Sequence, residues 1–318
     1  MAPHAASAAT PIPADLLEAP STRRVYSSAQ KQFIEFCLQD GCMNQDGSIL
    51  PASEQALMRF CSHLADRLHH TSIKVYLSSV RLLHIDRGFS DPLVNCLQLQ
   101  RVLRGIKRLQ GSCKSTRQPI TGDLMRVIHS VLSLSDYSQA MLRAACCLGF
   151  FSFLRAEEFT VNEPFDPAIH LTPQDLQLDS TSNPTCLRVQ IKASKTGPFR
   201  QGCFIYLGRG CTSICPIASV MAYLHRRGPA PGPLFRLENG QPLSRTRLSN
   251  FLQSTLSAVG ITGTYSGHSF RIGAATTAAQ QGLPDHLIKT MGRWSSDAYL
   301  LYVRTPVQSI LNVSGQLL

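Results

Sequence analysis

In the stretch GHSFRIGAATTAAQQG, Gly267–Gly282, His268 and Arg271 stand three residues apart. On a helix that spacing puts both side chains on one face near the first turn, and a helix N-terminus favours a bound anion. A guanidinium stays charged at any ordinary pH and grips oxyanions through paired hydrogen bonds. An imidazole beside it can donate a hydrogen bond or move a proton. A second arginine, Arg155, closes the apolar stretch FFSFLRAEEF, where an unpaired charge is costly. Glu158, three residues on, could hold it in place; the same spacing also suits a purely structural ion pair. Trp294, the one Trp of the chain, comes shortly before Tyr299 and Tyr302 in GRWSSDAYLLYVR. A lone Trp is more often a core residue than a functional one. A tyrosine, with a pKa near ~10, attacks at neutral pH only beside a proton acceptor and a positive field. Lys192 and Lys195 lie in the turn-rich KASKTGPFRQG. The chemistry this set could do is stabilisation of negative charge by fixed cations. The acids of the second half are few and dispersed, with no cluster of the kind that holds two metals.

These residues need elements to position them. Four amphipathic helices are predicted first, with apolar residues spaced three and four apart. The first, about 21–38, carries Tyr26, Ala29, Phe33 and Phe36; the second, about 53–67, carries Leu57, Phe60, Cys61 and Leu64. The third, about 72–86, carries Ile73, Tyr76, Leu77, Val80 and Leu83. The fourth is expected to start at Asp91-Pro92, an N-cap and first-turn proline, with a stripe through Leu99, Val102, Leu103 and Ile106. Residues 111–118 read as a linker and residues 1–20, rich in Ala and Pro, as disordered. Beyond the linker, helices are expected at about 122–134 and 138–153, and strands at 187–191 and 204–207. Helices follow at about 216–227 and 245–259, and again from His268 to the end. The second region is thus mainly helical with a small antiparallel sheet.

The 318 residues suit two domains. An excess of 31 Lys+Arg over 20 Asp+Glu, net +11, points to a polyanionic partner, nucleic acid first. Lys74 and Arg81 share a face of the third helix, and Arg101, Arg104 and Arg108 share a face of the fourth. With Lys107, Lys114 and Arg117, the segment Gln98–Gln118 holds six basic residues and no acid. A solvated face and a phosphate-contacting face both fit that pattern. The eleven cysteines are scattered through apolar helical patterns, as small hydrophobes in a reducing interior would be. Cys211 and Cys215 lack the second ligand pair a structural zinc site needs. No apolar run is long enough to span a bilayer, and the N-terminus has no signal-peptide core.

The order Arg155-x-x-Glu158, a Lys in a strand–turn–strand, His268-x-x-Arg271, Trp294 and Tyr302 resembles the tyrosine recombinase (phage integrase) family. The Trp at the fifth catalytic position is that of Cre-like members. The wording of KASKTGPF and GRWSSDAYLLYVR is most similar to recombinases of DIRS-type and Crypton-type eukaryotic mobile elements. The resemblance covers about residues 20–315; over the N-terminal helices it is one of architecture only. It implies a helical core-binding (SAM-like) DNA-binding domain over 21–110 and an α+β catalytic domain over 119–318, closing on duplex DNA as a C-shaped clamp. It implies a site-specific enzyme that cuts and rejoins DNA through a 3′-phosphotyrosyl intermediate, without metal or other cofactor, as a homotetramer on two DNA sites. A eukaryotic element would place it in the nucleus, and any other source in the cytoplasm. In this scheme Arg155 and Arg271 grip the phosphate, with Glu158 in support. His268 hydrogen-bonds or moves a proton, and Trp294 hydrogen-bonds the phosphate and packs the nucleophile's helix. Tyr302 attacks, and Lys195, with Lys192 as rival, protonates the leaving 5′ oxygen. Lys74, Arg81, Arg101, Arg104, Lys107 and Arg108 contact DNA. Two departures stand out. Tyr302 follows Trp294 by one residue fewer than in familiar members, which keeps Tyr299 as a rival nucleophile. Ile272 stands where many members carry a second His. A domesticated DNA-binding protein without catalysis, and an activity of the type IB topoisomerase kind, are the rival readings.

Overall fold

A computed structural model describes residues 20–111, 117–192, 202–210, 212 and 214–303. The expectations for residues 1–19, for most of the linker, for Lys195 and for the segment after Tyr302-Val303 fall outside these. The chain divides into two compact units, Met1–Lys114 and Ser115–Leu318.

The first unit is built from α1 (Pro20–Gln39), α2 (Glu54–Ala65), α3 (His70–Asp86) and α4 (Leu97–Gln110). Their apolar stripes meet around Phe60, whose ring lies 5.1 Å from Phe33, edge-on, and 5.3 Å from Phe36. Leu57, Leu64, Ile73, Val80, Leu99 and Ile106 complete this core. Side-chain amides and carboxylates tie the helix ends together. Gln110 accepts the backbone N–H of His70 (2.7 Å) and donates to the carbonyls of Ala65 (3.0 Å) and Leu68 (2.9 Å). One residue thus satisfies free groups at the start of α3 and beyond the end of α2.

The fourth helix does not start at Asp91. The Asp91 carboxylate accepts the N–H of Leu93 (2.9 Å) and pairs with Arg81 (2.6 Å), closing a turn. Asn95 then takes a left-handed conformation, φ 61°, and α4 begins at Leu97. Its early N–H groups are met from elsewhere in the unit: Glu54 Oε1 accepts from Leu99 (2.9 Å).

The second unit begins with α5 (Gly122–Val131), α6 (Tyr137–Phe151) and the single turn α7 (Ala156–Phe159). The strands β1 (Leu176–Leu178), β2 (Cys186–Ile191) and β3 (Cys203–Gly208) form an antiparallel sheet in the order β1-β2-β3. Leu187 pairs with Leu207 and Val189 with Ile205. Leu187, Val189 and Ile191 are buried while Gln190 points outward, the alternation a half-covered sheet requires. β1, three residues long, is too short to show that alternation in sequence. There follow α8 (Pro216–Arg227), α9 (Arg245–Ala258), α10 (Gly267–Gln280), α11 (Asp285–Gly292) and a 3-10 turn, Asp297–Leu301. The helical stretch expected from His268 onward is therefore broken, at Gly282 (φ 73°) and Arg293 (φ 54°), both left-handed.

The small residues of α10 have a steric purpose. Its buried face carries Gly273, Ala274, Ala275 and Ala278. The Ile120 N–H donates to the Ser269 carbonyl (3.0 Å), laying the chain before α5 directly on the helix. A Cβ on Gly273 would fall 1.7 Å from the Ile120 carbonyl oxygen, so backbone must move to admit even one methyl group. Gly273→Ala should destabilise the second unit by at least ~2 kcal/mol, the upper range for overpacking. Urea unfolding followed by circular dichroism checks this, and a loss under ~0.5 kcal/mol, the level of a neutral surface change, would contradict the packing.

Candidate active site

Arg155 ends up where its sequence context required, at the exit of a buried helix. After α6 the chain turns through Phe153, itself left-handed at φ 50°, and Arg155 precedes the first residue of α7. Glu158 reaches back. Its Oε2 accepts the Arg155 backbone N–H (2.7 Å), and its Oε1 accepts from the Arg155 guanidinium (3.1 Å). The Glu158 side chain is only 2% exposed, so its charge must be compensated by close donors.

A third arginine supplies the rest. Arg293, at the left-handed end of α11, donates to both Glu158 oxygens (3.2 and 2.7 Å). Burial alone would lower the Arg293 pKa, but the adjoining Glu158 carboxylate, together with Cys203, more than offsets this and raises it. Sequence reasoning missed this residue. It lies 135 positions from its partner, and no spacing rule connects the two.

Arg271 is fully buried, one turn into α10. Its guanidinium donates to the carbonyls of Phe153 and Gly292 and lies 4.1 Å from the Trp294 ring centroid, in cation–π contact. Its Nε finds no acceptor. Burial, with Arg155 and Arg293 nearby, brings its pKa down to about 10, so it is still charged at neutral pH. Gly292 makes the stacking possible: a Cβ there would fall 1.7 Å from the indole of Trp294.

His268 and Tyr302 close the group. Their rings lie 5.3 Å apart, edge to face, and Tyr302 is 5.2 Å from Trp294 and 5.8 Å from the Arg271 guanidinium carbon. Thr276 of α10 donates to the Tyr302 carbonyl (3.1 Å), fixing the chain there. Tyr299, by contrast, is 5% exposed and its ring lies 6.2 Å from that of Trp294; Leu300 beside it stays exposed. The structure thus brings together Arg155, Glu158, His268, Arg271, Trp294 and Tyr302, and adds Arg293.

Lys192 is not in this group. Its ammonium pairs with the buried Asp175 (2.7 Å) and donates to the carbonyls of Pro167 (2.7 Å) and His170 (3.2 Å). Lys195 lies outside the described residues. On the first unit, Lys74, Arg101, Arg104, Lys107 and Arg108 are all exposed. Arg81 is exposed too, but it is engaged by Asp91. Among the described residues no cluster of His, Cys, Asp or Glu could hold a metal ion, and no helix is long and apolar enough to cross a membrane.

Known proteins share this arrangement of elements. No family model matches the chain. It is 23% identical over 290 residues, 88% of this chain and 80% of the relative, to an integrase/recombinase XerD homologue of Selenomonas ruminantium. Among solved structures, it resembles a lambda integrase dimer bound to a COC′ core site, with a TM-score of 0.62 at 16% identity, covering 90% of this chain and 89% of that one. It resembles the XerH site-specific recombinase bound to a palindromic difH substrate at 0.61 and 15%, covering 92% and 78%. For the Tn1549 transposon integrase with circular intermediate DNA the values are 0.56 and 13%, covering 87% and 95%. The fold is that of the tyrosine recombinases. Over most of its length the chain is thus similar in sequence to an integrase/recombinase and in fold to integrases and recombinases.

The electrostatics of the site make its stability pH-dependent. Burial, with Arg117, Arg271 and Arg155 nearby, depresses the His268 pKa from 6.5 to about 4. Burial likewise depresses that of His129, in the core of the same unit, to about 4. For a histidine whose pKa is lower in the folded state, the unfolded chain binds the proton more readily. Stability is therefore complete above about 6.5 and is lost as pH falls toward about 4. His268→Gln should remove its share of that loss, on the order of 2 kcal/mol between pH ~7 and ~4.5, leaving the part due to His129. Urea unfolding of wild type and variant at the two pH values measures it; equal acid losses in the two proteins would contradict the assignment.

Proposed function

We propose that the chain is a site-specific DNA recombinase or integrase that cuts and rejoins duplex DNA through a covalent 3′-phosphotyrosyl intermediate. The observation that carries the reading is the convergence of a buried, incompletely bonded Arg271 with Arg155, His268 and the Tyr302 ring. An attacked phosphodiester gains negative charge on its nonbridging oxygens, and fixed guanidiniums stabilise that charge without reorganising. Arg155 and Arg271 take this role. His268, neutral at pH 7, can donate from one ring nitrogen and accept a proton at the other. The Tyr302 oxygen attacks phosphorus, the bond to the 5′ oxygen breaks, and Lys195 protonates that leaving oxygen. The new phosphodiester keeps the bond energy, so rejoining reverses the step with no nucleotide consumed. Lys192 is a poor alternative acid, because its ammonium is committed to Asp175. Trp294 acts chiefly by covering Arg271 and backing Tyr302.

The relatives' DNA complexes and the exposed basic residues of α3 and α4 support double-stranded DNA as the partner. Four cleavages are needed to exchange two duplexes, and each chain offers one nucleophile; this supports a homotetramer at synapsis. The wording of GRWSSDAYLLYVR supports a DIRS- or Crypton-like eukaryotic mobile element and, with it, a nuclear location.

A suicide duplex, from which the cleaved strand diffuses away, tests the chemistry. Wild type should form a covalent adduct in excess EDTA and then exchange strands. Tyr302→Phe should bind the duplex normally and give no adduct, and Tyr299→Phe should still give it. Mass spectrometry of the trapped peptide should place the nucleotide on Tyr302; a nucleotide on Tyr299 would overturn the assignment. Binding without adduct would mean a DNA-binding module, and relaxation of supercoils without exchange would mean a topoisomerase.

The basic face of α4 adds a second expectation. Affinity should fall steeply with salt, with a log–log slope of about −0.9 per phosphate neutralised. Arg104→Glu with Arg108→Glu should weaken binding to all sequences alike by at least ~10-fold. An effect confined to one sequence would mean that these side chains read bases.

A further inference from the structure

We infer that Arg293 is a positioning residue for cleavage: through Glu158 it holds Arg155 in its phosphate-gripping geometry, without itself touching the phosphate. This rests on the recombinase reading above, and it assigns a role that no part of that reading requires.

The bonding pattern carries the inference. Glu158 has two oxygens, and each is shared. Oε1 takes one guanidinium N–H from Arg155 (3.1 Å) and one from Arg293 (3.2 Å). Oε2 takes the Arg155 backbone N–H (2.7 Å) and the other Arg293 donor (2.7 Å). Arg293 therefore spans the carboxylate along its full width, while Arg155 meets it with one guanidinium nitrogen and its main chain. A two-point clamp fixes the carboxylate plane. That plane fixes where Arg155 begins and which way its guanidinium leaves. Without Arg293 the carboxylate could turn wholly to Arg155 and draw its donors inward, away from an incoming phosphate.

Charge points the same way. One buried carboxylate facing one arginine would form a closed, neutral pair. With Arg293 included, two cations share one anion, and the net positive charge is left on the side of Arg155 and Arg271. The terminal nitrogens of Arg293 are spent on Glu158 and, at 3.7 Å, on Cys203 Sγ, and its Nε is buried without an acceptor, so this arginine adds charge beside the carboxylate without turning its forked donors to a phosphate.

The backbone joins the two halves of the site at this residue. The Gly292 carbonyl accepts from Arg271, the Arg293 guanidinium holds Glu158, and the Trp294 ring covers Arg271. Arg293 reaches Glu158 from a left-handed conformation, φ 54° and ψ 44°, in which a non-glycine residue is disfavoured. Glycine would suit the backbone better there. The side chain is retained against that preference, at a bend between α11 and the turn that carries Tyr302.

The test uses Arg293→Gly, which suits the left-handed backbone and removes the clamp, together with Arg293→Lys and Glu158→Gln. Single-turnover adduct formation on the suicide duplex is compared with duplex affinity. Arg293→Gly should slow adduct formation by roughly 10- to 100-fold, the scale of a displaced catalytic group, with affinity changed less than ~3-fold. Arg293→Lys, which keeps the charge without the two-point geometry, should fall between. In the Glu158→Gln background, removing Arg293 should cost almost nothing further, because both changes act through one carboxylate. Multiplying losses would overturn the inference, since Arg293 would then act on the phosphate or elsewhere; so would wild-type speed in Arg293→Gly. Nitrogen-15 NMR of the labelled arginines reads the same point without cleavage. The Arg155 side-chain signal should be sharp in wild type and broadened in Arg293→Gly, and an unchanged signal would overturn the inference. Failure of wild type to form any adduct would count against the recombinase reading, and the NMR comparison would still decide the role of Arg293.

Discussion

A single buried carboxylate organises the second unit's functional end. Glu158 has almost no contact with solvent, so a charge there must be compensated by close donors. Those donors come from two places far apart in the chain, the exit of α6 and the end of α11. Meeting the carboxylate's demand therefore brings together the segment that carries Arg155 and the segment that leads to Trp294 and Tyr302. A requirement of electrostatics is solved by a piece of tertiary structure, and the same piece assembles the candidate active site.

The second charge, Arg271, is handled in a different way. It has no carboxylate of its own. Two backbone carbonyls and an aromatic face hold it, and one of its donors remains unmet. Such an arrangement is tolerable for a guanidinium, which is delocalised and weakly hydrated. It would be a poor device for stability alone. It makes sense where an anion is to complete the set, and the depressed pKa values of Arg271 and His268 have the same origin: too much positive charge in too little solvent.

Much of this was legible in the sequence, for reasons that differ from element to element. The amphipathic helices α1 to α3 follow from apolar spacing, because each buries one stripe against its neighbours. The start of α4 was misplaced because Asp91-Pro92 looks like a helix start locally, while Glu54, a residue of another helix, does the capping. β1 was invisible because three residues cannot show a period. The i, i+3 pairs, Arg155–Glu158 and His268–Arg271, could be read because a turn of helix is a local object. Arg293 could not, because its meaning lies in Glu158. The commitment of Lys192 to Asp175 was hidden for the same reason: two lysines flanking a turn look equivalent until one acquires a buried partner.

The helix that carries His268 and Arg271 shows how packing and chemistry are coupled. Functional side chains near an arginine cluster must be held to within a fraction of an ångström, and loops rarely manage that. α10 does so by setting glycines and alanines among its buried Phe270, Arg271 and Ile272, so that other segments can approach its backbone. Gly267 sits so close to Ala156 that a Cβ would come within 2.8 Å of that alanine's own, and Gly273 lies against the Ile120 backbone. The first of these contacts joins α10 directly to the residue after Arg155. The register between Arg155 and Arg271 is thus set by a glycine backbone lying against an alanine, neither of which has rotamers to change. The small residues that looked featureless in GHSFRIGAATTAAQQG are what allows the larger ones among them to be placed.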